Sequence, residues 1–160
     1  MTAPPIVAVV GNSDSGKTTV AGAIVEKLSA RGYRVAAIKH CPHGHQVDVP
    51  ESDTGRLYDA GAVAVVASSP DKRTRVDRLT GEAALASMAG EFTEDVDLVV
   101  AEGFKTDGVP KVLVLDGAPL SLPVDNVIAV VGDGDARSDS PRYHTGQLND
   151  LVGQLQDTFL

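Results

Sequence analysis

A short run of residues near the start of the chain has the types and spacing of a loop that binds phosphate. In chain order it reads Gly11, Asn12, Ser13, Asp14, Ser15, Gly16, Lys17 and Thr18. Glycines let the backbone turn successive N–H groups toward phosphate oxygens, and Lys17 adds a positive charge. The Thr18 hydroxyl is a hard oxygen ligand that suits Mg²⁺. This pattern, G-x-x-x-x-G-K-T, predicts a site for a nucleoside triphosphate and magnesium.

An acid at the end of a later apolar run is the second candidate for chemistry. The run Asp97-Leu98-Val99-Val100-Ala101 leads into Glu102. If the run is a strand, Glu102 lies at its carboxyl end, where it contacts water bound to Mg²⁺ or polarises an attacking water. Lys17 and Glu102 are therefore candidate catalytic residues, and Asp97 is expected to start or cap the strand. For Lys105 two interpretations stand, contact with phosphate or substrate and a solvated surface lysine.

The polar segment 40–53 supplies further oxygen ligands. Asp48 is expected near the phosphates, where it would hold Mg²⁺ directly or through water and join the candidate catalytic residues. Asp53 has two interpretations, a metal ligand and the cap of the short helix that it precedes.

The same segment holds a cluster of soft and borderline metal ligands, namely His40, Cys41, His43 and His45. The C-x-H-x-H spacing suits Zn²⁺ or Ni²⁺. A closed metal site would need ligands from another chain, because this is one short segment with no distant second pair. The alternative is that His40 and His43 orient the phosphates or the loop itself.

The last predicted strand runs into Gly132-Asp133-Gly134-Asp135, where the base of a nucleotide is expected to lie. A carboxylate can accept hydrogen bonds from N1–H and N2–H of guanine, whereas adenine offers no matching pair of donors. Asp133 is therefore a candidate guanine-reading residue. The sequence does not contain the N-K-x-D motif of many GTPases.

Short apolar runs alternate with longer segments that have helical spacing, which is typical of an α/β fold with a mainly parallel sheet. Strands are predicted over 6–10, 35–38, 62–67, 98–101, 112–115 and 127–131, and helices over 18–30, 54–60, 82–89 and 148–155. The charged stretch 70–78 is predicted to be an exposed turn, and 135–143 is the best candidate for a mobile loop. The loops after the strands that end at 10, 38, 101 and 131 are expected to meet at the nucleotide.

Length and charge narrow the class of protein. The 160 residues fit one domain over 1–160, and 42% hydrophobic residues suffice for a buried core. A net charge of -8 disfavours a general nucleic-acid or anionic-membrane binder. No apolar run approaches the ~20 residues of a membrane span, and no signal peptide is recognised. The single cysteine, Cys41, excludes an intrachain disulfide and fits a reducing cytoplasm.

With these residues placed, the chain resembles the molybdopterin-guanine dinucleotide biosynthesis adaptor family, MobB. The matching segments are 11–19 (GNSDSGKTT), 34–40 (RVAAIKH) with His43, Asp48 with Asp53-Thr54, 60–62 (AGA), 97–105 (DLVVAEGFK), and Pro110-Lys111. The phosphate loop alone is shared by a very large superfamily. The I-K-H-x-x-H segment followed by E-G-F-K and P-K is much more specific to this family.

The resemblance implies a three-layer P-loop NTPase fold of the SIMIBI branch and a cytoplasmic, homodimeric, GTP-binding protein with weak GTPase activity. It implies that the chain assists a MobA-type guanylyltransferase that joins GMP to molybdopterin; contact with molybdopterin itself is left open. By position, the family's phosphate and Mg²⁺ contacts fall on Gly16, Lys17 and Thr18, with Thr19 in the same matched segment. Asp48 and Glu102 fall around the metal, and Lys39 and His40 fall in the family's second motif.

The chain departs from the family where P-G-x-D-S is usual, since it has Pro50-Glu51-Ser52-Asp53-Thr54. Two alternative functions remain on the same fold. Cys41-Pro42-His43 is similar to the metal-binding triplet of urease-type nickel chaperone GTPases. A small-molecule kinase or ligase is the other, with Arg73, Arg75 and Arg78 around Lys72 as its lid, although a solvated turn also explains that cluster.

Overall fold

The computed structural model describes residues 3–45, 51–92 and 95–160. In chain order the elements are β1 (Ile6–Gly11), α1 (Lys17–Ala30), β2 (Val35–Lys39), α2 (Asp53–Asp59), β3 (Ala64–Ser68), β4 (Arg73–Asp77), α3 (Leu85–Gly90), β5 (Leu98–Glu102), β6 (Lys111–Val114), β7 (Val127–Val131), β8 (Arg142–Tyr143), a 3₁₀ turn (Thr145–Gln147) and α4 (Leu148–Phe159). They group into two compact units, 1–40 with 84–160 and Cys41–Ala83.

The first unit is built on a six-stranded parallel sheet with the order β2-β5-β1-β6-β7-β8. The central strands are rich in valine and alanine and are buried on both faces, as expected for a parallel sheet covered on each side. The carboxyl ends of β1, β5 and β2 therefore come together at one edge of the sheet.

Side chains of β1 alternate between two hydrophobic cores. Val7 and Val9 pack with α1 and α4, while Ala8 and Val10 pack with α3. Leu28 of α1 and Leu155 of α4 are fully buried in the first core, and Leu85 of α3 is buried in the second. Helices thus lie on both faces of the sheet, and the predicted three-layer α/β architecture is confirmed.

The predicted elements of this unit agree with the structure closely. Strand β7 has the predicted ends, β1, β2 and β5 are one residue longer than predicted, and β6 is shifted by one residue toward the N-terminus. Helix α3 begins three residues later than predicted, and α4 continues to Phe159. The stretch 135–143, predicted as a loop, contributes β8 at its end, which pairs with β7.

The second unit, Cys41–Ala83, contains α2 and an antiparallel pair of strands, β3 and β4. The prediction of an exposed turn over 70–78 is wrong, because Arg73–Asp77 forms β4. The side chains of β4 alternate between exposed and half-buried, as expected for an antiparallel sheet with one face exposed to solvent. The sequence did not reveal this strand, because charged residues occupy three of its five positions and mask the usual alternation of apolar and polar residues.

The start of α2 corrects one interpretation of Asp53. Ser52 is the N-cap of this helix, and its hydroxyl accepts a hydrogen bond from the Gly55 N–H at 3.1 Å. Asp53 is instead the first helical residue, where its negative charge interacts favourably with the positive end of the helix dipole. The capping interpretation of Asp53 is therefore wrong, because the serine one position earlier already fills that place.

Asp97 holds the beginning of β5 against the residue that precedes β2. Its Oδ2 accepts a hydrogen bond from the Arg34 N–H at 2.7 Å, and its own N–H donates to the Arg34 carbonyl at 2.8 Å. The predicted role of Asp97 at the start of the strand is confirmed.

Lys111, the first residue of β6, is fully buried although it carries a charge. Its Nζ donates to the carbonyl oxygens of Asp107, Val109 and Asp125 and to the Asp125 carboxylate, at 2.7 Å in the last case. The lysine therefore joins the turn before β6 to the segment before β7, and its role is structural.

In the part of the chain that the structure describes, no helix is both long and apolar enough to cross a membrane.

Candidate nucleotide-binding site

The candidate phosphate loop connects β1 to α1, as the sequence predicts. Gly11 is the last residue of β1 and pairs with Val114 of β6. A Cβ atom at Gly11 would lie 2.4 Å from the Val114 carbonyl oxygen and 2.6 Å from Ser15 Oγ. A larger residue would push the loop away from β6, so glycine is required here by space.

Gly16 is the N-cap of α1 and is required by its conformation instead. Its φ of 95° lies in the left-handed region, and nothing lies within 4 Å of the position that a Cβ would take. Among the described residues no side chain caps α1, and its first backbone hydrogen bond runs from the Val20 N–H to the Gly16 carbonyl. The first amides of α1 are thus left for an anion, which the positive end of the helix dipole also favours.

Two polar side chains of the loop suit contact with a phosphate. The Lys17 ammonium group folds back over the loop and donates to the carbonyl oxygen of Asn12. Ser15 Oγ is buried and has no hydrogen-bond partner among the described residues. Because a buried hydroxyl is costly to leave unpaired, a ligand oxygen at this position would relieve it.

Thr18 and Glu102 lie together at the base of the loop. The Thr18 hydroxyl donates to Glu102 Oε1 at 2.8 Å, and Lys39 Nζ lies 3.4 Å from the same oxygen. Strand pairing explains the meeting, since Glu102 is opposite Val9 of β1 and Lys39 of β2. A hydroxyl and a carboxylate are hard oxygen ligands, so this pair fits Mg²⁺ held directly or through water.

Lys105 faces the same region as Lys17. The Lys105 Nζ donates to Ser121 Oγ at 3.3 Å. Burial, and secondly the positive charge of Lys17, lower the pKa of the Lys105 ammonium group. An anion bound near both ammonium groups would offset this repulsion, so the electrostatics here favour a phosphate over a neutral ligand.

His40 lies directly behind Glu102. The backbone N–H of His40 donates to the Glu102 carbonyl at 2.9 Å, and the centroid of its ring is 5.0 Å from that of Phe104. Phe104 is itself buried and has a φ of 60°, which is unusual for a bulky residue. The predicted E-G-F segment therefore fixes the strand end that presents Glu102, and Phe104 is a positioning residue that the sequence reasoning did not single out.

The remaining predicted residues lie as follows. Ser13 and Asp14 are exposed in the loop, and Thr19 is exposed in the first turn of α1. Asp133 is exposed after β7, and its carbonyl oxygen accepts from the Gly117 N–H at 2.8 Å. Asp48 lies outside the described residues. The roles assigned to these residues from the sequence stay predictions.

The histidine-rich segment does not form a metal cluster within the described residues. Over residues 3–45, 51–92 and 95–160, no group of three His, Cys, Asp or Glu side chains is placed to hold a metal ion. Cys41, His43 and His45 belong to the second unit. Nothing in the described geometry therefore favours nickel or zinc delivery.

Two of the three arginines proposed for a kinase lid, Arg75 and Arg78, make contacts within the second unit. Arg75 forms a two-pronged contact with the Asp77 carboxylate, with distances of 2.8 and 2.9 Å. Arg78 lies 4.0 Å from the centre of the Tyr58 ring and donates to backbone carbonyls, including that of Ala62. Contacts within the second unit therefore account for Arg75 and Arg78 without a role in binding a substrate.

Comparison with known proteins connects this geometry to one family. The model of MobB, molybdopterin guanine dinucleotide synthesis protein B, matches residues 6–133. A molybdopterin-guanine dinucleotide biosynthesis adapter protein of Haemophilus influenzae is 34% identical over 110 residues, which are 68% of this chain and 62% of that protein. The adapter protein of Escherichia coli is 34% identical over 81% of this chain and 78% of its own length. The crystal structure of Bacillus subtilis MobB superposes with a TM-score of 0.74 and 27% identity, covering 98% of each chain.

Proposed function

The chain belongs to the MobB family, and on that premise we propose that it is a GTP-binding adapter in molybdopterin guanine dinucleotide biosynthesis. The proposal of nucleotide binding rests on the phosphate loop. There Lys17 and the Ser15 hydroxyl, which has no partner among the described residues, lie at the uncapped start of α1. The names of two relatives supply the pathway and the adapter role. A cytoplasmic location is part of the same proposal.

Magnesium completes the proposed site. Thr18 and Glu102 would hold the ion, directly or through water, and Lys39 would balance the carboxylate. When bound, the ion supplies charge neutralisation for the β- and γ-phosphates. Asp48 remains a proposed additional ligand.

Hydrolysis of GTP by this chain is proposed to be slow. Glu102 Oε1 is engaged by both the Thr18 hydroxyl and the Lys39 ammonium group. A carboxylate oxygen that is already engaged by a hydroxyl and an ammonium group is a poor base for an attacking water. Lys17, Glu102 and Asp48 would act on the nucleotide, while guanylyl transfer to molybdopterin belongs to a partner.

Parallel titration of GTP and ATP tests the nucleotide proposal. With Mg²⁺ present, GTP is expected to bind roughly tenfold or more tightly than ATP, since a site built for guanine donors leaves polar groups unpaired against adenine. Isothermal calorimetry measures both affinities, and replacing Mg²⁺ by a chelator should weaken GTP binding. Glu102→Gln should reduce that magnesium dependence. A clear preference for ATP would sink the proposal.

The proposed partner is a MobA-type guanylyltransferase. An adapter acts by contact, so the purified chain immobilised with GTP should retain such an enzyme from native cytoplasm. The same bait carrying Lys17→Ala, which is expected to lack the nucleotide, serves as the matched control. Identification of the retained proteins by mass spectrometry decides the matter, and absence of any guanylyltransferase from the bound fraction would count against the adapter role.

A homodimer is the proposed assembly. Two valines of the second unit are exposed to solvent, Val63 at 80% and Val66 at 56%. Burying such apolar side chains against a second copy would be favourable. Val63 directly precedes β3, and Val66 lies within it. Strands β3 and β4 form a two-stranded sheet, and its free edges can pair with a second copy. Sedimentation equilibrium should give twice the mass of the 16.6 kDa chain, and Val66→Lys should shift it toward the monomer.

A further inference from the structure

A cavity of about 200 Å³ lies within the first unit, beyond the carboxyl ends of β6 and β7. The segment 119–123 forms one side, and Asp135 and Arg137 form the other. Two prolines and two leucines in this segment give an apolar wall, while the opposite side offers a carboxylate and a guanidinium group. A mostly apolar concave space with a few polar groups is the usual form of a small-molecule site.

The cavity is joined directly to the phosphate loop. The side-chain amide of Asn12 donates to the Pro119 carbonyl at 2.9 Å and accepts from the Ser121 N–H at 3.2 Å. Lys105 reaches the same wall through Ser121 Oγ. A nucleotide whose phosphates lie against Lys17 therefore has this cavity on the β6 side of the loop, at the sheet edge where open α/β folds bind their ligands.

The carboxylate on the cavity belongs to Asp135. Its Oδ1 accepts a hydrogen bond from the Arg137 N–H at 2.9 Å, which fixes the side chain, and the side chain is 81% exposed. The lone pairs that remain can accept N1–H and N2–H of guanine. The Arg137 side chain is 86% exposed, and its Nε lies 4.0 Å from Asp135 Oδ2, a separation long enough for that oxygen to accept a further hydrogen bond. A guanidinium plane can also stack on a base. Asp133 is not among the residues that line the cavity.

We propose that this cavity receives the guanine base of the bound nucleotide and that Asp135 is the residue that selects it. The proposal rests on the proposed GTP binding and assigns its base specificity. Asn12 then has a positioning role, because it sets the distance between the phosphate loop and the cavity wall.

Replacing the Asp135 carboxylate with an amide tests whether this residue selects guanine. Asp135→Asn keeps the oxygen that accepts from the Arg137 N–H but replaces one acceptor by an N–H donor. Guanine would then meet a donor with its own donor, whereas xanthine offers a carbonyl oxygen at C2. The variant is expected to bind GTP roughly tenfold or more weakly and XTP roughly tenfold or more tightly than the wild type does. Inorganic tripolyphosphate, which probes the phosphate loop alone, should bind both proteins equally.

Asp139→Asn is the matched control, because Asp139 is exposed in the same loop and does not line the cavity; its GTP and XTP affinities should equal those of the wild type. An unchanged ratio of GTP to XTP affinity in Asp135→Asn would overturn the assignment while leaving GTP binding intact. A switch produced by Asp133→Asn instead would overturn it in favour of Asp133. If the wild type binds tripolyphosphate but does not prefer GTP to ATP, the proposed function fails, and the base assignment fails with it.

Discussion

Replacing Lys111 with alanine is expected to lower the free energy of unfolding by about 3–5 kcal/mol, the usual cost of removing one partner from a buried charged network. The ammonium group is fully buried and serves three backbone carbonyls that lie outside the regular ladder of the sheet. Without it these carbonyls lose their partner, and the space of the side chain becomes a cavity. Urea unfolding followed by circular dichroism measures the change; a loss below about 1 kcal/mol would contradict the structural role.

Two further variants separate the contributions to this effect. Lys111→Met refills the cavity but not the hydrogen bonds, so about 1–3 kcal/mol of the loss should remain. Asp125→Asn should cost much less, because the Asp125 side chain is 76% exposed. The hydrogen bond from Lys111, and then its charge, lower the pKa of Asp125. Its contribution is therefore complete above the unfolded pKa and lost as the pH falls through the folded value, and Asp125→Asn should remove that loss in acid.

Much of the first unit could be predicted from the sequence because its signals are local. A parallel strand buried on both faces must be a continuous apolar run, and 6–10, 98–101 and 127–131 are such runs. The phosphate loop is equally local, since space at Gly11 and a left-handed conformation at Gly16 restrict both positions to glycine. These strands, and the position of the loop between β1 and α1, were therefore predicted correctly.

Contacts between distant parts of the chain left no such signal. Asn12 and Pro119 are 107 positions apart, and their hydrogen bond is fixed by the adjacency of β1 and β6. The buried role of Lys111 depends in the same way on the segment before β7. Sequence reasoning treated Asn12 as one more residue of a phosphate loop and Lys111 as part of a family motif, because neither pattern reveals a partner in the fold.

The GDGD segment shows the limit of argument by residue type. Its two carboxylates are chemically identical and two positions apart, so the sequence could nominate Asp133 but could not compare it with Asp135. The comparison requires the cavity, which exists only once 119–123 is held beside the loop after β7. The sequence can thus propose guanine recognition by a carboxylate of this segment, while the choice between the two residues depends on tertiary structure.

Nucleotide affinity is expected to fall most sharply when Lys17 is replaced by alanine. A hydrogen bond to a charged group contributes about 1.5–3 kcal/mol, so the dissociation constant for GTP should rise roughly 10- to 100-fold. Lys17 stands at the first turn of α1 with its ammonium group turned over the loop toward Asn12, and its charge is felt by Lys105. An anion bound near Lys17 would interact with both cations, and Lys17→Ala removes one of them.

Lys27→Ala provides the matched control, because Lys27 lies in the last turn of the same helix, away from the phosphate loop. It removes the same charge and the same side chain, and its affinity for GTP should equal that of the wild type. Lys17→Arg separates charge from shape, since a planar guanidinium group is bulkier than the ammonium group that contacts the Asn12 carbonyl oxygen; weakened binding of GTP to this variant would show that the loop requires a compact cation. Fluorescence titration with a labelled GTP analogue measures all three, with thermal unfolding as the check on folding. If Lys17→Ala binds as the wild type does, the triphosphate lies elsewhere, and the argument from the loop to GTP fails at its first step.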